Sequence, residues 1–275
     1  MDLAHDLRRA RFRSRVLRMP LVRYRNRGLR PLDAMLASYP RSGTTWLRFL
    51  LSEALTGRPA VFDPDDQPVA YVGAHLDAPD VLPEGGRLVF THETVDVGKR
   101  RVVYVVRDPR GVALSEYRWL QRRGLAPATF ERFLQEFVAG RSNPWGRWDR
   151  HVRHWLGATH EGDALVHLVR FEELRRSPET ELDRALRFLG AELAPETIEM
   201  VVDHNTLQRM QEKEEAAPDA AFAKGVRREV RFVKEGATSG WREQLTPPQR
   251  SAIAGAFGPT MGRLGYDPDG DGKTS

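Results

Sequence analysis

The sequence predicts one α/β domain with a central parallel sheet flanked by helices. Short apolar strands alternate along the chain with segments in which apolar residues recur at helical spacing, and this order is typical of parallel sheets whose strands are joined by helices. The strand predicted at residues 101–107 is apolar on both faces, as strands in the middle of a parallel sheet are. A length of 275 residues is sufficient for one such domain with a buried core.

The elements follow in order along the chain. A helix over residues 44–55 follows the first strand and is closed by Gly57, because glycine is favoured where a helix ends. Pro109 suits the first turn of the next helix, since its fixed φ is already helical and its missing N–H is not needed there. A further helix opens at Ser177-Pro178 and runs to Gly190. The four strands are predicted at residues 33–39, 87–91, 101–107 and 164–170.

Two long segments lack a periodic pattern. Residues 57–86 are rich in Pro, Gly and Asp and are predicted to form a loop. Residues 211–230 are polar and are predicted to be a mobile excursion from the domain.

The basic character of the chain belongs to one segment. The formal net charge is +5, but residues 1–33 contain ten arginines and three aspartates, a net charge of +7, so the rest of the chain sums to −2. We interpret residues 1–33 as a basic arm, 34–266 as the domain and 267–275 as a flexible acidic tail. In the arm an apolar helical stripe is predicted to end where Pro20 breaks the pattern; it comprises Leu3, Leu7, Val16 and Leu17.

Composition excludes several classes of protein. Without cysteine the chain has no disulfide framework, no thiolate metal site and no cysteine nucleophile. The apolar runs are too short to span a bilayer, and the first thirty residues lack the apolar region of a secretory signal. The 38 arginines and five lysines are typical of a GC-rich bacterial genome, and the absence of cysteine suits a cytoplasmic protein. We expect no nucleic-acid partner, because the domain itself carries no excess of positive charge.

Residues 38–47 predict an anion site. A strand ends there, a turn contains Gly43, and a helix starts with Thr44 and Thr45. Backbone N–H groups at a helix N-terminus can surround a phosphate, hydroxyl groups can add donors, and Arg41 supplies a positive charge. The turn resembles a P-loop in its logic but is not a Walker A loop, because no lysine follows Gly43.

Residues 107–115 carry a second pair of candidate anion ligands. Arg107 ends the most apolar strand, and ligands of open α/β sheets bind at the carboxyl ends of strands. Ser115 lies about two turns into the following helix and could face the same crevice.

Together these segments resemble the sulfotransferases that use 3′-phosphoadenosine 5′-phosphosulfate (PAPS). Residues 39–46 resemble the family's 5′-phosphosulfate loop, and residues 107–115 its 3′-phosphate motif. Residues 234–242 are similar to its C-terminal Arg-Lys-Gly-x-x-Gly-Asp-Trp-Lys segment, and Thr91-His92 stands where the family places its catalytic histidine. These matches keep the family's order, and the likeness extends from about residue 34 to 266.

The resemblance implies PAPS as the sulfuryl donor, a single α/β domain and no metal. His92 would be the general base for the acceptor hydroxyl, and Arg41 and Ser115 complete the candidate catalytic set. The implied donor-binding residues are Arg41, Ser42, Gly43, Thr44, Thr45, Trp46, Arg107, Ser115, Phe171, Asn205, Leu207, Lys234 and Gly236.

The chain departs from the family pattern at several of these positions. Arg41 stands where the soluble animal enzymes have lysine; it can stabilise charge but is a poor proton donor. Phe90 replaces the lysine that commonly precedes Thr-His, and Phe171 replaces a tyrosine near the adenine. Asn205 and Leu207 stand where a threonine and a phenylalanine usually help to hold the base.

The resemblance predicts sulfuryl transfer to a hydroxyl of a small-molecule acceptor, with a specialised metabolite as first choice. Sulfation of a carbohydrate or glycolipid is one alternative, and a weak nucleotide-binding protein whose basic arm contacts membrane surfaces is another. An oligomer stays possible. Residues 57–86 and 208–232 are expected to line the acceptor pocket, with His75 as a second histidine that could border it. Trp145, Trp148 and Trp155 are predicted to form a packing face.

Overall fold

The computed structural model describes residues 15–63, 68–157, 165–217 and 240–268. Its centre is a four-stranded parallel sheet with helices on both faces, which confirms the predicted fold class. The strands lie across the sheet in the order β2-β1-β3-β4; they are β1 (Ala34–Ser38), β2 (Leu88–Thr91), β3 (Val102–Val106) and β4 (Val166–Arg170).

The helices are numbered in chain order. They are α1 (Arg15–Arg25), α2 (Thr44–Thr56), α3 (Pro109–Arg122), α4 (Phe130–Val138), α5 (Trp148–Gly157), α6 (Phe171–Arg176), α7 (Pro178–Phe188), α8 (Pro195–Asp203), α9 (Leu207–Ala216), α10 (Trp241–Gln244) and α11 (Pro247–Arg263). Within the described ranges, no helix combines the length and apolar character needed to cross a membrane.

Alternating side chains of the central strands build two cores. Met35 and Tyr104 point to the face covered by α3, α4, α5 and α11, where Trp148 and Trp155 are fully buried as predicted. Leu36 and Val103 point to the opposite face, which is covered by α2, α7 and α8. Both central strands are buried along their whole length, because helices cover both faces. The carboxyl ends of β1, β2 and β3 therefore meet at one edge of the sheet.

The expected end of the arm helix at Pro20 is wrong. Helix α1 continues through Pro20 to Arg25. Proline removes only its own N–H donor, and the later residues still pair: the Asn26 N–H donates to the Val22 carbonyl at 3.0 Å. Residues 1–14 lie outside the described ranges.

The prediction of a mobile excursion is wrong for residues 211–216, which complete α9. Met210 is buried, and Lys213 lies over the Phe49 ring while donating to Asn205. Contacts with α2 therefore stabilise a helix that the local polar composition does not indicate. Residues 218–230 are not among those described.

Residues 57–63 and 68–86 form a loop as predicted, apart from a 3₁₀ turn at His75–Asp77 and a bridge between Tyr71 and Phe90; residues 64–67 lie outside the described ranges. His75 does not border the predicted site. Its carbonyl accepts a hydrogen bond from Arg87, which precedes β2, so His75 lies at the amino edge of the sheet.

Candidate functional site

The turn between β1 and α2 has a backbone that only a few residue types tolerate. Gly43 has φ 89°, and a Cβ at this position would lie 2.2 Å from Phe171 Cδ2. Arg41 has φ 69° and is the one non-glycine residue with positive φ among those described. Because Arg41 and Gly43 both have left-handed backbone conformations, the chain turns sharply after β1. The N-terminus of α2 therefore lies at the carboxyl edge of the sheet.

The turn and the third strand bring their predicted ligands together. The Arg41 Nε donates to Ser115 Oγ at 3.2 Å, and Arg107 Nη1 donates to the Arg41 carbonyl at 3.3 Å. The two segments that sequence analysis singled out separately therefore form one cluster of two guanidinium groups and a hydroxyl.

Burial makes this cluster electrostatically unfavourable on its own. Burial, followed by the charge of Arg107, lowers the pKa of Arg41 to about 10. Burial also lowers the pKa of Arg107. Both groups stay protonated at neutral pH. Ser42 Oγ is buried beside them with no hydrogen-bond partner among the described residues. Two half-buried positive charges and an unsatisfied hydroxyl suit a bound anion.

Trp46 and Asn205 form one unit. Trp46 Nε1 donates to the Asn205 carbonyl at 2.7 Å, while Arg175 lies over the indole ring. The Asn205 amide nitrogen donates to Glu53 and to the Val201 carbonyl. Asn205 therefore fixes Trp46 through its backbone, and its amide is engaged within the protein. Sequence analysis missed Glu53, which only a carboxylate on an otherwise apolar helix could have indicated.

The remaining predicted donor ligands are placed as follows. Phe171 packs over Gly43, and the Arg107 guanidinium lies 4.4 Å from the centre of its ring. Thr44 Oγ1 donates to Ser38 Oγ, so this hydroxyl faces the strand. Thr45 is half-buried in the first turn of α2, and Leu207 is half-buried at the start of α9. Lys234 and Gly236 lie outside the described residues.

His92 lies just beyond β2, beside the turn. Its Nδ1 is 2.8 Å from the Ser38 carbonyl, which can only accept, so Nδ1 carries the proton and Nε2 carries the lone pair. The imidazole lies edge-on to Phe90 at 4.8 Å and to Trp145 at 5.4 Å between ring centres. Trp145 packs against the same core as Trp148 and Trp155, as the packing prediction grouped them, and it also contacts the candidate base His92.

A buried histidine holds the backbone of His92. His151 Nε2 donates to the His92 carbonyl at 3.0 Å, and its Nδ1 accepts from the Tyr104 hydroxyl at 2.8 Å. Burial lowers the pKa of His151 to about 3, so the ring is neutral at physiological pH. Sequence analysis had no signal for this link, because 59 residues separate the two histidines.

In the part of the chain that the structure describes, no group of three or more His, Asp or Glu side chains is arranged to hold a metal ion.

Comparison with known proteins matches this chain to one family. Residues 31–265 match the model of the family described as a sulfotransferase domain. Sulfotransferase 1A1 of Bos taurus is 25% identical over 88% of this chain and 90% of its own, and the 3-alpha-hydroxysteroid sulfotransferase of Cavia porcellus is 25% identical over 86% and 85%. The crystal structure of mouse sulfotransferase SULT7A1 complexed with PAP has a TM-score of 0.69 at 19% identity, covering 88% of this chain and 90% of that one.

Proposed function

This chain belongs to the sulfotransferase family, and we propose that it transfers a sulfuryl group from PAPS to a hydroxyl of a small-molecule acceptor. The observation that carries the proposal is the meeting of Arg41, Ser115 and Arg107 at the sheet edge where His92 lies. These groups supply two positive charges for a polyanionic donor and one base for an acceptor hydroxyl.

The donor would be held along the edge of the sheet. Its 5′ end would lie in the turn of Arg41 and residues 42–45, Trp46 would stack on the adenine, and the 3′-phosphate would lie between Arg107 and Ser115. Phe171, Asn205 acting through Trp46, and Leu207 would contact or position the base, and Lys234 and Gly236 would complete the 3′-phosphate site. The fit is supported by the buried guanidinium groups, whose pKa values are lowered by burial and which an anion would stabilise. PAPS supplies the sulfuryl group that is transferred.

His92 would take the proton of the acceptor hydroxyl on Nε2. The Ser38 carbonyl, which accepts from Nδ1–H, keeps the required tautomer and stabilises the positive charge that develops on the ring. Arg41 stays protonated and would offset the negative charge on the leaving oxygen, while Ser115 orients its guanidinium. The chain's residues thus act by position and charge, as in-line group transfer requires.

A specialised metabolite remains the first candidate acceptor, and a carbohydrate or glycolipid the alternative. One of the relatives is named for a hydroxysteroid, and the aromatic rings around His92 favour a flat, apolar acceptor body. We also propose a bacterial, cytoplasmic protein, on the arginine-rich and cysteine-free composition. The division into a basic arm (1–33), a catalytic domain (34–266) and an acidic tail (267–275) likewise remains our proposal.

His92→Ala tests the base. Transfer of label from radiolabelled PAPS to an acceptor panel should fall by about 10²- to 10⁴-fold, the usual contribution of a general base. Calorimetry with adenosine 3′,5′-bisphosphate (PAP), the product nucleotide, should show binding retained, because His92 faces the acceptor. His154→Ala is the matched control, since this histidine is exposed on α5. Turnover by His92→Ala at the rate of the unmodified protein would rule out His92 as the base.

A further inference from the structure

Arg48 lies beside the site but belongs to neither predicted anion motif. It stands one helical turn after Thr44 on α2, so both side chains lie on the same face of the helix. Its guanidinium carbon is 5.7 Å from the centre of the Phe90 ring, and the Phe90 ring contacts His92. One aromatic ring therefore separates this positive charge from the proposed base.

The Arg48 guanidinium has no internal counter-charge in the described part of the chain. Its Nε is fully enclosed and has no hydrogen-bond partner there. Burial lowers its pKa to about 10, and no acidic group contributes to the shift. The residue as a whole is half-buried, and of its guanidinium nitrogens only Nε is fully enclosed without a partner among the described residues. A charge in this position is unfavourable unless a group other than the described residues pairs with it.

Two other buried arginines show how this fold pairs its internal charges. Arg87 Nη2 lies 2.6 Å from Asp33, and Arg110 Nη2 lies 2.7 Å from Asp108. Arg48 is thus an exception to a pattern set by its neighbours in the same domain. The exception occurs at the sheet edge where an acceptor would bind.

A row of rings leads from Arg48 to the base. Tyr71 contacts Phe90 edge-on at 5.3 Å, Phe90 contacts His92 at 4.8 Å, and His92 contacts Trp145 at 5.4 Å. Such a row forms an apolar wall along which a flat molecule can lie.

We propose that the acceptor is an amphipathic anion, whose carboxylate, sulfate or phosphate group pairs with Arg48 while its hydroxyl lies at His92. The inference rests on the proposed function and adds the acceptor's charge to it. A guanidinium offers paired donors that match the oxygens of such groups, and the pairing would satisfy the buried Nε.

The test uses matched hydroxyaryl acids and amides as acceptors with radiolabelled PAPS. Each pair consists of an acid and its amide: para-hydroxybenzoate with para-hydroxybenzamide, para-hydroxyphenylacetate with its amide, and para-hydroxyphenylpropionate with its amide. The three pairs differ in the length of the chain between the ring and the carboxyl group. The protein should prefer the acid in at least one pair by about 10- to 100-fold in kcat/KM, the worth of a hydrogen bond to a charged group. Arg48→Met should bring that ratio close to one. Arg187→Met, an exposed arginine on α7, should leave the ratio as it was.

Three results would overturn the inference. The first is no preference for the acid in any pair, and the second is a preference that survives in Arg48→Met. The third is a fall in kcat/KM in Arg48→Met that is equal for acid and amide, which would assign Arg48 to the sulfuryl oxygens of the donor. If PAP still binds by calorimetry, these results reject the acceptor's charge alone. Failure of the unmodified protein to bind PAP would reject the proposed function instead.

Thermal unfolding without ligand separates binding from a structural role. Arg48→Met should raise Tm, because it replaces a charge that has no partner among the described residues with an apolar side chain of similar length. Arg48→Lys keeps the charge and should keep part of the preference for acids. A lower Tm in Arg48→Met would mean that the fold itself uses the guanidinium, and would count against the inference.

Discussion

Arg41 combines two features that are unfavourable in the protein alone. Its left-handed backbone is strained by about 1–3 kcal/mol for a residue with a Cβ. Its guanidinium is buried near a second one, which together lower its pKa to about 10. The backbone strain aims the side chain at Ser115, and an anion in the turn would relieve the charge. Strain and repulsion at one residue are what a site prepared for a polyanion requires.

His151 shows how a residue without contact to substrate can control the base. It is 1% exposed, and its neutral ring links the Tyr104 hydroxyl to the His92 carbonyl. Protonation would place a charge where burial opposes it, and would also remove the acceptor lone pair that receives the tyrosine hydrogen. The position of His92 therefore depends on His151 remaining neutral.

The titration of His151 predicts an acid-sensitive fold. Burial lowers its folded pKa to about 3, below the usual 6.5, so the stabilisation is complete above pH 6.5 and is lost as pH falls towards 3. The titration of His151 alone should lower the free energy of unfolding by about 1.4 kcal/mol for each unit that the pH falls in that window. Thermal unfolding of His151→Gln, whose amide can keep the donor to His92, should show a shallower fall in Tm between pH 7 and pH 5. The exposed control His154→Gln should keep the original slope. A slope unchanged in His151→Gln would contradict the assignment.

At the scale of elements, α2 contributes to both the donor and the acceptor side of the proposed site. Its first turn belongs to the proposed anion-binding turn, Arg48 in the second turn lies over the Phe90 ring, and Glu53 near its end anchors Asn205 and thereby Trp46. Leu47, Leu50 and Leu51 bury the opposite side of the helix against the sheet. One rigid helix thus keeps three functional features in fixed relation.

The two glycines that bracket α2 provide a matched comparison. Gly43 and Gly57 are both left-handed, with φ 89° and 66°, but only Gly43 faces a side chain: a Cβ would meet Phe171 at 2.2 Å, whereas nothing lies within 4 Å at Gly57. Gly57→Ala should therefore cost about 1–2 kcal/mol of backbone strain. Gly43→Ala should cost more and should weaken PAP binding, because Phe171 and the turn must move.

Urea unfolding and PAP calorimetry measure the two effects. Phe171→Ala removes the ring with which the new Cβ would clash. Gly43→Ala should therefore cost less stability when it is added to Phe171→Ala than when it is made in the unmodified protein. Equal costs for Gly43→Ala and Gly57→Ala would show that the approach of Phe171 does not limit this turn.

At the scale of the molecule, local signals predicted the fold and the two segments whose side chains meet at the proposed donor site. Buried strands, the glycine turn and the Pro109 helix start are encoded within a few neighbouring residues, so β1, α2, β3 and α3 agree with the prediction. Features that depend on distant partners were not predictable. Helix α9 needs Phe49 and Glu53 from α2, and the lack of a counter-charge for Arg48 among the described residues is visible only in the structure.

The amino edge of the sheet is built in the opposite way from the site edge. There Arg87 is fully paired: it donates to Asp33, to the Gly28 carbonyl and to the His75 carbonyl. Burial opposes ionisation of Asp33, but hydrogen bonds from Arg87 and from backbone N–H groups outweigh it and lower its pKa to about 2. This pair attaches residues 28–33, the last residues of the arm, to the domain.

Asp33→Asn should therefore destabilise the whole protein while leaving the site chemistry in place. It leaves Arg87 buried without its carboxylate, a change that costs about 3–5 kcal/mol when one partner of a buried pair is removed. Urea unfolding at pH 7 measures the loss in free energy of unfolding. PAP affinity, measured at urea concentrations below the unfolding transition, should be retained because the pair lies at the far edge of the sheet. Asp80→Asn, which breaks an exposed pair with Arg30, should have a much smaller effect. The stabilisation by Asp33 is complete above its unfolded pKa near 3.8 and is lost as pH falls through about 2. The difference in free energy of unfolding between the unmodified protein and Asp33→Asn should therefore become smaller in acid. Equal stability of Asp33→Asn and Asp80→Asn at pH 7 would show that the domain does not depend on this pair.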